Sequence, residues 1–168
     1  MGRLTRILQH RWLDETDTRR ALGADALQRL EARVAASETG HSGEIRVCVE
    51  AGLPLSYLWR GATARQRAVA LFGKLGVWDT EHNNGVLIYL LLAEHAIEIV
   101  ADRGLTRQVP QGQWDGLVAH MRKAFRAGQF EPGLNQAVDA VDRLQRQHFS
   151  LAPGQRNPNE LPDRADLR

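Results

Sequence analysis

Three short polar segments of this chain carry carboxylate and amide side chains that could bind a metal ion together. The metal-ligand candidates are Glu44, Asp79, Asn84 and Asp102. Carboxylate and amide oxygens are the ligands that hard cations prefer, so the predicted cofactor is Ca²⁺ or Mg²⁺. Four neighbouring residues could bind the rest of a ligand, namely Glu81, Asn83, Gly85 and Arg103. Of these, the Arg103 guanidinium and the backbone donors at Gly85 could hold an anion beside the cation.

Ordinary turn chemistry explains the same residues without any ligand. Asn and Gly before a strand both tolerate positive φ, and an Asn side chain often bonds its own backbone in a turn. Asp79 could cap a turn. Glu44 and Asp102 could pair in solvent with Arg46 and Arg103, where an ion pair contributes little to stability. The sequence leaves the structural and the ligand-binding interpretations open.

The hydrophobic pattern predicts the helices and strands that must position these residues. Apolar residues recur at helical spacing over residues 24–38, 64–75, 114–125 and 134–148. Residues 44–50 alternate as a strand does, the apolar run 86–93 indicates a strand covered on both faces, and 96–101 alternates as its hairpin partner. The predicted fold class is therefore α/β, as a three-layer α/β/α sandwich with a small mixed sheet and helices on both faces.

The order of these elements brings the three polar segments to one end of the sheet. The connection between the first two strands contains a helix and is long enough for a right-handed parallel crossover. Parallel strands begin at the same edge, and the antiparallel third strand ends there. The turns at 41–44, 79–85 and 102–104 are therefore predicted to meet. The opposite end of the sheet offers fewer polar residues, namely Glu50, Glu94 and His95.

Composition and motifs argue against several classes of function. A length of 168 residues and a net charge of +2 indicate one globular domain and no nucleic-acid partner. The histidines form no HExxH or His–Cys pattern, and no glycine-rich phosphate loop is present, so neither zinc nor a nucleotide is predicted. Cys48 lies in a predicted strand and is interpreted as a buried apolar residue. Because the chain shows no signal-peptide pattern and no apolar run of about 20 residues, it is expected to be cytoplasmic and soluble.

The predicted sandwich is flanked by two segments of different character. Residues 1–22 are an N-terminal amphipathic segment, 23–149 are the α/β domain, and 150–168 are a C-terminal tail expected to be extended or disordered. Residues 3–13 could lie on a membrane surface as a basic amphipathic helix. Packing of this helix against the domain is favoured, since it is short and acidic residues follow it closely.

Two smaller predictions concern the first crossover and the aromatic residues. Residues 51–61, which include Pro54, are predicted to form a loop. The tryptophans are interpreted as core or helix-packing residues rather than as a stacking platform for a ligand. They are Trp12, Trp59, Trp78 and Trp114.

Several motifs resemble those of the TPM domain family. They are Ser42-Gly-Glu-Ile-Arg-Val47, Leu75-Gly-Val-Trp-Asp-Thr80, Asn84-Gly-Val-Leu-Ile-Tyr89, Ile99-Val-Ala-Asp-Arg-Gly104, Trp114, Phe125-Arg-Ala-Gly128 and Gly133-Leu134. The likeness covers residues 25–149, and the tail over 159–163 resembles that of short bacterial members. The resemblance implies an α/β/α sandwich, labelled phosphatase-like, in which some members bind divalent cations at acidic loops. Carried over by position, it supports ligand roles for Glu44, Asp79, Asn84, Gly85 and Asp102.

Two functions are consistent with these observations. The first is a TPM-type binding or accessory domain, dependent on a divalent cation and linked to envelope or membrane-protein maintenance, with a protein or a phosphorylated ligand as partner. The alternative is a weak metal-assisted phosphatase that acts on phosphomonoesters. In it, a cation held by Asp79, Asn84 and Asp102 would activate water, and Arg103 would offset phosphoryl charge. The sequence identifies no nucleophile, so the catalytic residues stay unassigned.

Overall fold

The computed structural model describes residues 3–168, which form eight α-helices and four strands. The helices are α1 (Arg3–Arg11), α2 (Glu15–Leu22), α3 (Ala24–Glu38), α4 (Leu55–Trp59), α5 (Ala64–Lys74), α6 (Arg103–Thr106), α7 (Gln111–Arg126) and α8 (Phe130–Phe149). The strands are β1 (Ile45–Glu50), β2 (Val86–Leu91), β3 (Ala96–Ala101) and β4 (Asp166–Leu167). A 3-10 turn over Leu92–Glu94 joins β2 to β3.

The four strands form one mixed sheet in the order β3-β2-β1-β4. β1 runs parallel to β2, with Ile45 opposite Val86, and β2 runs antiparallel to β3, with Val86 opposite Ala101. The predicted parallel crossover and hairpin are therefore confirmed. β1 and β2 thus begin, and β3 ends, at the same edge of the sheet.

Helices cover both faces of this sheet, which confirms the predicted three-layer sandwich. One face carries Ile45, Val47 and Val49 of β1 and packs against α3, α7 and α8. The other face carries Leu87 and Tyr89 of β2 and packs against α1, α4 and α5. Every residue of β1 and β2 is buried; β2 is apolar on both faces apart from the Tyr89 hydroxyl, whereas β1 carries Arg46 and Glu50 on the face toward the α5 layer. We call the two helical layers the α8 layer and the α5 layer.

Local capping explains where two of the helices begin. The Thr63 side chain accepts a hydrogen bond from Gln66 N, while the Gln66 side chain accepts one from Thr63 N, and this capping box starts α5. α8 begins at Phe130, four residues before the predicted start at 134. Pro132 therefore lies in the first helical turn, where a proline leaves no intrahelical hydrogen bond unmade.

Two sequence predictions outside the sheet are wrong. Residues 51–61 are not all loop, because α4 forms directly after Pro54, whose fixed φ suits the residue that begins a helix. Trp114 is buried as predicted, but Trp12, Trp59 and Trp78 are exposed. The three exposed rings lie on helices or turns whose inward faces are already filled by smaller apolar residues.

The C-terminal residues complete the sheet along the open side of β1. Over 150–168 the chain contains no helix, and its end forms β4 parallel to β1. Arg168 N donates to Val49 O at 3.0 Å, and Ala51 N donates to Arg168 O at 2.7 Å. Arg46 Nη1 donates to the carbonyl oxygens of Pro162, at 2.7 Å, and of Arg164. The C-terminal half of β1 is thereby paired on both sides, with β2 and with β4.

The N-terminal helix α1 packs against the domain, as favoured from the sequence. The imidazole of His10 accepts a hydrogen bond from Leu53 N at 2.9 Å through Nδ1. Arg6 donates to Ala62 O at 2.8 Å and to the Glu94 carboxylate at 2.7 Å. These contacts hold α1 on the α5 layer, next to α4.

Candidate functional site

The three polar turns meet at one edge of the sheet, as the topology predicted. We call this edge the N-terminal rim and define it by residues 41–44, 79–85 and 102–104. Three backbone hydrogen bonds join the turns: Val86 N to Glu44 O at 2.9 Å, Asp102 N to Gly85 O at 2.9 Å, and Gly104 N to Asn83 O at 2.8 Å. The first two strands and the hairpin therefore position the rim directly.

Glycine is required at two places where these turns approach each other closely. A Cβ at Gly85 would collide with Val77 O, and one at Gly104 would lie 2.5 Å from the carbonyl oxygens of His82 and Asn83. Asn83 itself has a left-handed φ of 51°, which asparagine tolerates better than most residues. Gly85, Asn83 and Gly104 thus have structural roles, whatever the rim binds.

Glu44 is fully buried at the centre of the rim. Its Oε2 accepts a hydrogen bond from Leu161 N at 3.0 Å, whereas its Oε1 has no hydrogen-bond partner among residues 3–168. Burial raises the pKa of Glu44, and the backbone N–H groups of Glu160 and Leu161 together with the Asn157 side chain partly offset that rise. The carboxyl group therefore holds its proton more firmly than an exposed glutamate does.

Asn84 is the second buried polar residue of the rim. Its Nδ2 donates to Ser42 Oγ at 3.2 Å, and its backbone oxygen accepts from Gln145 Nε2 at 2.6 Å. Within the described part of the chain, neither Asn84 Oδ1 nor Gln145 Oε1 has a hydrogen-bond partner. Gln145 is held against the rim because Gly43 leaves room for its amide, and a Cβ at Gly43 would collide with it.

Asp102 occupies the end of β3 and also caps α6. Its Oδ1 accepts from Arg103 N at 2.6 Å, while its buried Oδ2 finds no partner in residues 3–168. Arg103, Asp79 and Glu81 are exposed. Glu81 N donates to the carboxylate of Glu160 at 3.2 Å, so this part of the rim contacts the C-terminal tail.

The predicted ligand set is therefore divided between the inside and the outside of the rim. Glu44, Asn84 and Asp102 each keep one buried side-chain oxygen without a partner, whereas Asp79 and Glu81 are exposed. Over residues 3–168, no group of three or more His, Cys, Asp or Glu side chains is arranged to hold a metal ion. A cation at this rim would therefore need amide oxygens in addition to carboxylates.

The sequence placed His41 at the rim, in the turn 41–44, but it did not identify Gln145 or Glu38 beside it. Gln145 lies four residues after Val141 on the buried stripe of α8, and a polar residue in that stripe was the available signal. Glu38 Oε1 accepts from Ile45 N at 2.8 Å, and burial raises the pKa of Glu38 to about 9. Burial lowers the pKa of His41 to about 4, although Asp142 lies nearby. At neutral pH Glu38 is protonated and His41 is neutral.

A surface cleft of about 700 Å³ adjoins the rim. Its walls include Ser42, Glu81 and His82 of the rim and Arg156 of the C-terminal tail. Ser42 accepts the hydrogen bond from Asn84 and also lines the cleft, so it connects the buried network to the surface. The tail therefore forms one wall of the candidate site, a role that its composition did not predict.

At the opposite end of the sheet, neither Glu50 nor Glu94 keeps a buried side-chain oxygen without a partner among residues 3–168. Glu50 accepts from Arg67 Nε at 3.0 Å and from the Tyr89 hydroxyl at 2.6 Å. Glu94 accepts from Arg6 and lies 3.0 Å from His10 Nε2, and these partners hold the pKa of Glu94 below its usual range. The polar groups of this end serve to join helices to the sheet.

The fold and the rim place the protein among α/β/α sandwich domains with a polar edge at the start of parallel strands. The TPM domain matches residues 16–144, and the chain belongs to the TPM domain family. None of the curated proteins matches the chain significantly. Over residues 3–168, no helix is long and apolar enough to cross a membrane.

Two solved structures support the same fold. The NMR structure of BA42 protein, from the psychrophilic bacterium Bizionia argentinensis, has 25% sequence identity and a TM-score of 0.74. That match covers 86% of this chain and 94% of BA42. The N-terminal domain of a P. gingivalis protein has 22% identity and a TM-score of 0.62, covering 78% of this chain and 83% of that one. The resemblance seen in the sequence motifs is thereby confirmed at the level of family and fold.

Proposed function

We propose that this protein is a TPM-type binding module whose N-terminal rim takes up a divalent cation, Ca²⁺ or Mg²⁺. The single observation that carries the proposal is the group of buried oxygens without a partner, namely Glu44 Oε1, Asn84 Oδ1, Gln145 Oε1 and Asp102 Oδ2. Carboxylate and amide oxygens of this kind are ligands for hard cations. In this proposal the bound cation recruits a phosphorylated ligand or a protein partner in envelope or membrane-protein maintenance.

The unpaired oxygens of the rim carry an energetic cost. A buried acceptor without a hydrogen bond costs about 1–3 kcal/mol, and within residues 3–168 Glu44, Asn84, Asp102 and Gln145 each carry one. A cation at the rim would replace that cost with favourable coordination. The exposed Asp79, Glu81 and Arg103 would then contact the ligand from the cleft side.

The raised pKa of Glu44 gives the proposed cation site a defined pH dependence. A proton on Glu44 competes with the cation for the same carboxylate. Affinity for Ca²⁺ or Mg²⁺ should therefore rise with pH through the range in which Glu44 ionises. Asn84 and Gln145 do not titrate and should contribute equally at each pH.

A cation titration followed by backbone NMR tests the proposal. We expect Ca²⁺ or Mg²⁺ to shift the amide signals of residues 42–45, 83–86 and 102–104 and to leave α7 unchanged. Glu44→Gln should abolish the shifts, and Glu31→Gln, at an exposed glutamate on α3, should not. Rim signals that stay still at every cation concentration, or that respond equally in Glu44→Gln, would contradict the proposal.

The cleft beside the rim favours a second candidate function, a weak metal-assisted phosphatase. Arg156 and His82 line this cleft next to Ser42 and offer donors to a phosphomonoester. The family label also includes the word phosphatase. A bound cation would polarise the phosphoryl group, while Arg156 would bind and orient it.

Hydrolysis of an aryl phosphate by the purified chain tests this second function. Asp102→Asn is the informative substitution at this position. Asn removes the negative charge but keeps a side-chain acceptor that can cap α6. We expect Asp102→Asn and Arg156→Ala both to lose activity, and Asp115→Asn on α7 to keep it. Activity that survives the first two changes would belong to a contaminant or to another site.

A further inference from the structure

The exposed large apolar side chains of this protein are gathered on one of its two helical layers. Leu4, Leu8 and Trp12 are 78%, 57% and 82% exposed, and their spacing of four residues forms one stripe along and just beyond α1. Leu55 and Trp59 repeat this spacing on α4 at 50% and 60% exposure. Both helices belong to the α5 layer.

The same layer continues the pattern beyond α4. Val69 on α5 is 51% exposed, and Trp78, in the turn after α5, is 55% exposed. In the part of the chain that the structure describes, α3, α7 and α8 carry no large apolar side chain that is exposed. Several exposed apolar residues on one face mark an interaction surface rather than random scatter.

The exposed apolar residues of α1 and α4 lie on helices that also bury apolar residues. Ile7 of α1 and Leu58 of α4 pack into the core beneath this layer. Leu8 lies about 100° around α1 from Ile7, Leu55 lies in the first turn of α4 three residues before Leu58, and both are at least half-exposed. Since Arg6 of α1 also bonds the backbone of Ala62 just after α4, the two exposed stripes lie on neighbouring elements.

The charge of this layer is of one sign. Residues 3–13 and 51–78 contain seven Arg or Lys residues and no Asp or Glu. Arg6, Arg65 and Arg67 pair with glutamates of other elements. Arg11, Arg60 and Lys74 are exposed, and no acidic residue lies in either segment to oppose them. By contrast, α3 and α8 balance their charges, as in the Arg29–Glu131 pair.

Acidic residues follow α1 closely in the sequence and belong to the cap and first turn of α2. Asp14 and Asp17 form the capping box of α2, and Glu15 pairs with Arg19. α2 packs on the opposite side of the sheet, where Leu22 joins the core under the α8 layer. Asp14 and Glu15 therefore border this surface at its edge beyond Trp12, and no carboxylate lies within α1 or α4 themselves.

We propose that the α5 layer docks on the surface of an anionic lipid bilayer. Tryptophan and leucine side chains flanked by arginine, on short helices without acidic residues, match the interfacial region of a membrane. An acidic headgroup layer supplies the charge complement that this layer lacks internally. The surface lies on the α5 layer and does not use the cation site at the rim.

Co-sedimentation of the full chain with vesicles tests this proposal, in the presence of a chelator so that the rim takes no part. We expect binding to vesicles of phosphatidylcholine and phosphatidylglycerol in equal parts, little binding to phosphatidylcholine alone, and release by salt. Binding should also move tryptophan fluorescence to shorter wavelength, since exposed indole rings enter a less polar medium.

Matched variants locate the surface. Leu8→Ser with Trp12→Ser should weaken vesicle binding on the order of tenfold or more, because two apolar side chains that enter the bilayer on binding are lost. Arg11→Glu with Arg60→Glu should weaken it as strongly, whereas Arg143→Glu, at an exposed position on α8, should not. Circular dichroism of each variant confirms that it folds.

Two results would overturn the proposal. The first is equal sedimentation of the wild type with neutral and anionic vesicles, or none with either. The second is self-association of the wild type that Leu8→Ser with Trp12→Ser abolishes without any vesicle binding, since the occupant of the surface would then be a second copy of the chain.

Discussion

β1 begins and ends beside a buried glutamate, and the two glutamates have opposite surroundings. Glu50, at the end of the strand, accepts hydrogen bonds from the Arg67 guanidinium and from the Tyr89 hydroxyl. Glu44, just before the strand, accepts from a backbone N–H and leaves its other oxygen unpaired within residues 3–168. Glu50 has its countercharge within the fold, whereas Glu44 has none in contact.

This difference distinguishes a structural carboxylate from a candidate binding carboxylate. The Glu50 group links α5 to the sheet through a charge-assisted contact, so its ionised form is stabilised by the protein itself. The Glu44 carboxylate is removed from water and has no cationic side chain beside it. Binding of a cation or of a proton would therefore neutralise its charge favourably. The two ends of one strand can therefore be compared directly by mutation.

The largest expected effect is at the Glu50 end. Arg67→Met should lower the free energy of unfolding by about 3–5 kcal/mol, because it leaves a buried carboxylate without its partner. Denaturant unfolding measures this change. Arg65→Met is the matched control on the same helix: its guanidinium is half-exposed and lies 3.8 Å from Glu98, so the expected loss is about 1 kcal/mol or less.

A double variant sharpens this result. Combining Arg67→Met with Glu50→Gln should recover part of the lost stability, since the uncompensated charge is then gone. Equal losses of stability for Arg67→Met and Arg65→Met would show that the buried Arg67–Glu50 pair contributes no more than an exposed ion pair. The contrast between the two ends of β1 would then fail.

A pH-dependent effect of intermediate size is expected from Glu38, which bonds the first residue of β1. Burial raises the pKa of Glu38 to about 9, whereas the unfolded chain ionises this group near pH 4.5. Between these values the folded state binds more protons than the unfolded state, so stability falls as pH rises, by at most about 1.4 kcal/mol per pH unit.

Unfolding measured from pH 5 to pH 8 checks this slope. Glu38→Gln cannot ionise, so the difference in stability between variant and wild type should grow with pH. His41 contributes the opposite trend in acid, because its folded pKa of about 4 lies below its unfolded value of 6.5. Stability curves for Glu38→Gln and the wild type that stay parallel over this range would be incompatible with a buried, protonated Glu38.

The sequence predicted the sheet well because its signals are local and periodic. The apolar run at 86–91 and the alternation at 96–101 specified a hairpin, and the length of the crossover specified the parallel pair. The short strand β4 was missed, since its pairing with β1 joins segments more than a hundred residues apart and depends on no periodicity. α4 was missed because five residues after a proline give no helical repeat.

The candidate site was predicted only where it lies at strand ends. Glu44, Asn84 and Asp102 follow from topology, and their turns do meet. Gln145 comes from a helix and Arg156 from the tail, so their arrival at the rim depends on packing between distant segments. Neither the direction of a side chain on a turn nor the burial of one carboxylate rather than another can be read from spacing alone.

The smallest expected effect is at the Glu44 end, and it has the opposite sign to that at Glu50. Glu44→Gln keeps an acceptor for Leu161 N and removes a buried carboxylate that has no cationic partner within residues 3–168. We expect the free energy of unfolding to stay within about 1 kcal/mol of the wild-type value in the absence of a cation.

The sign of the Glu44 effect with pH follows from its raised pKa. Because the folded pKa lies above the unfolded value, stability is lost as pH rises through the folded pKa, and Glu44→Gln should escape that loss. The free energy of unfolding of Glu44→Gln should therefore rise relative to that of the wild type as pH increases. Glu50→Gln should instead be less stable than the wild type at neutral pH. Parallel behaviour of the two substitutions would mean that both glutamates are structural. Added Ca²⁺ or Mg²⁺ should then stabilise the wild type no more than Glu44→Gln.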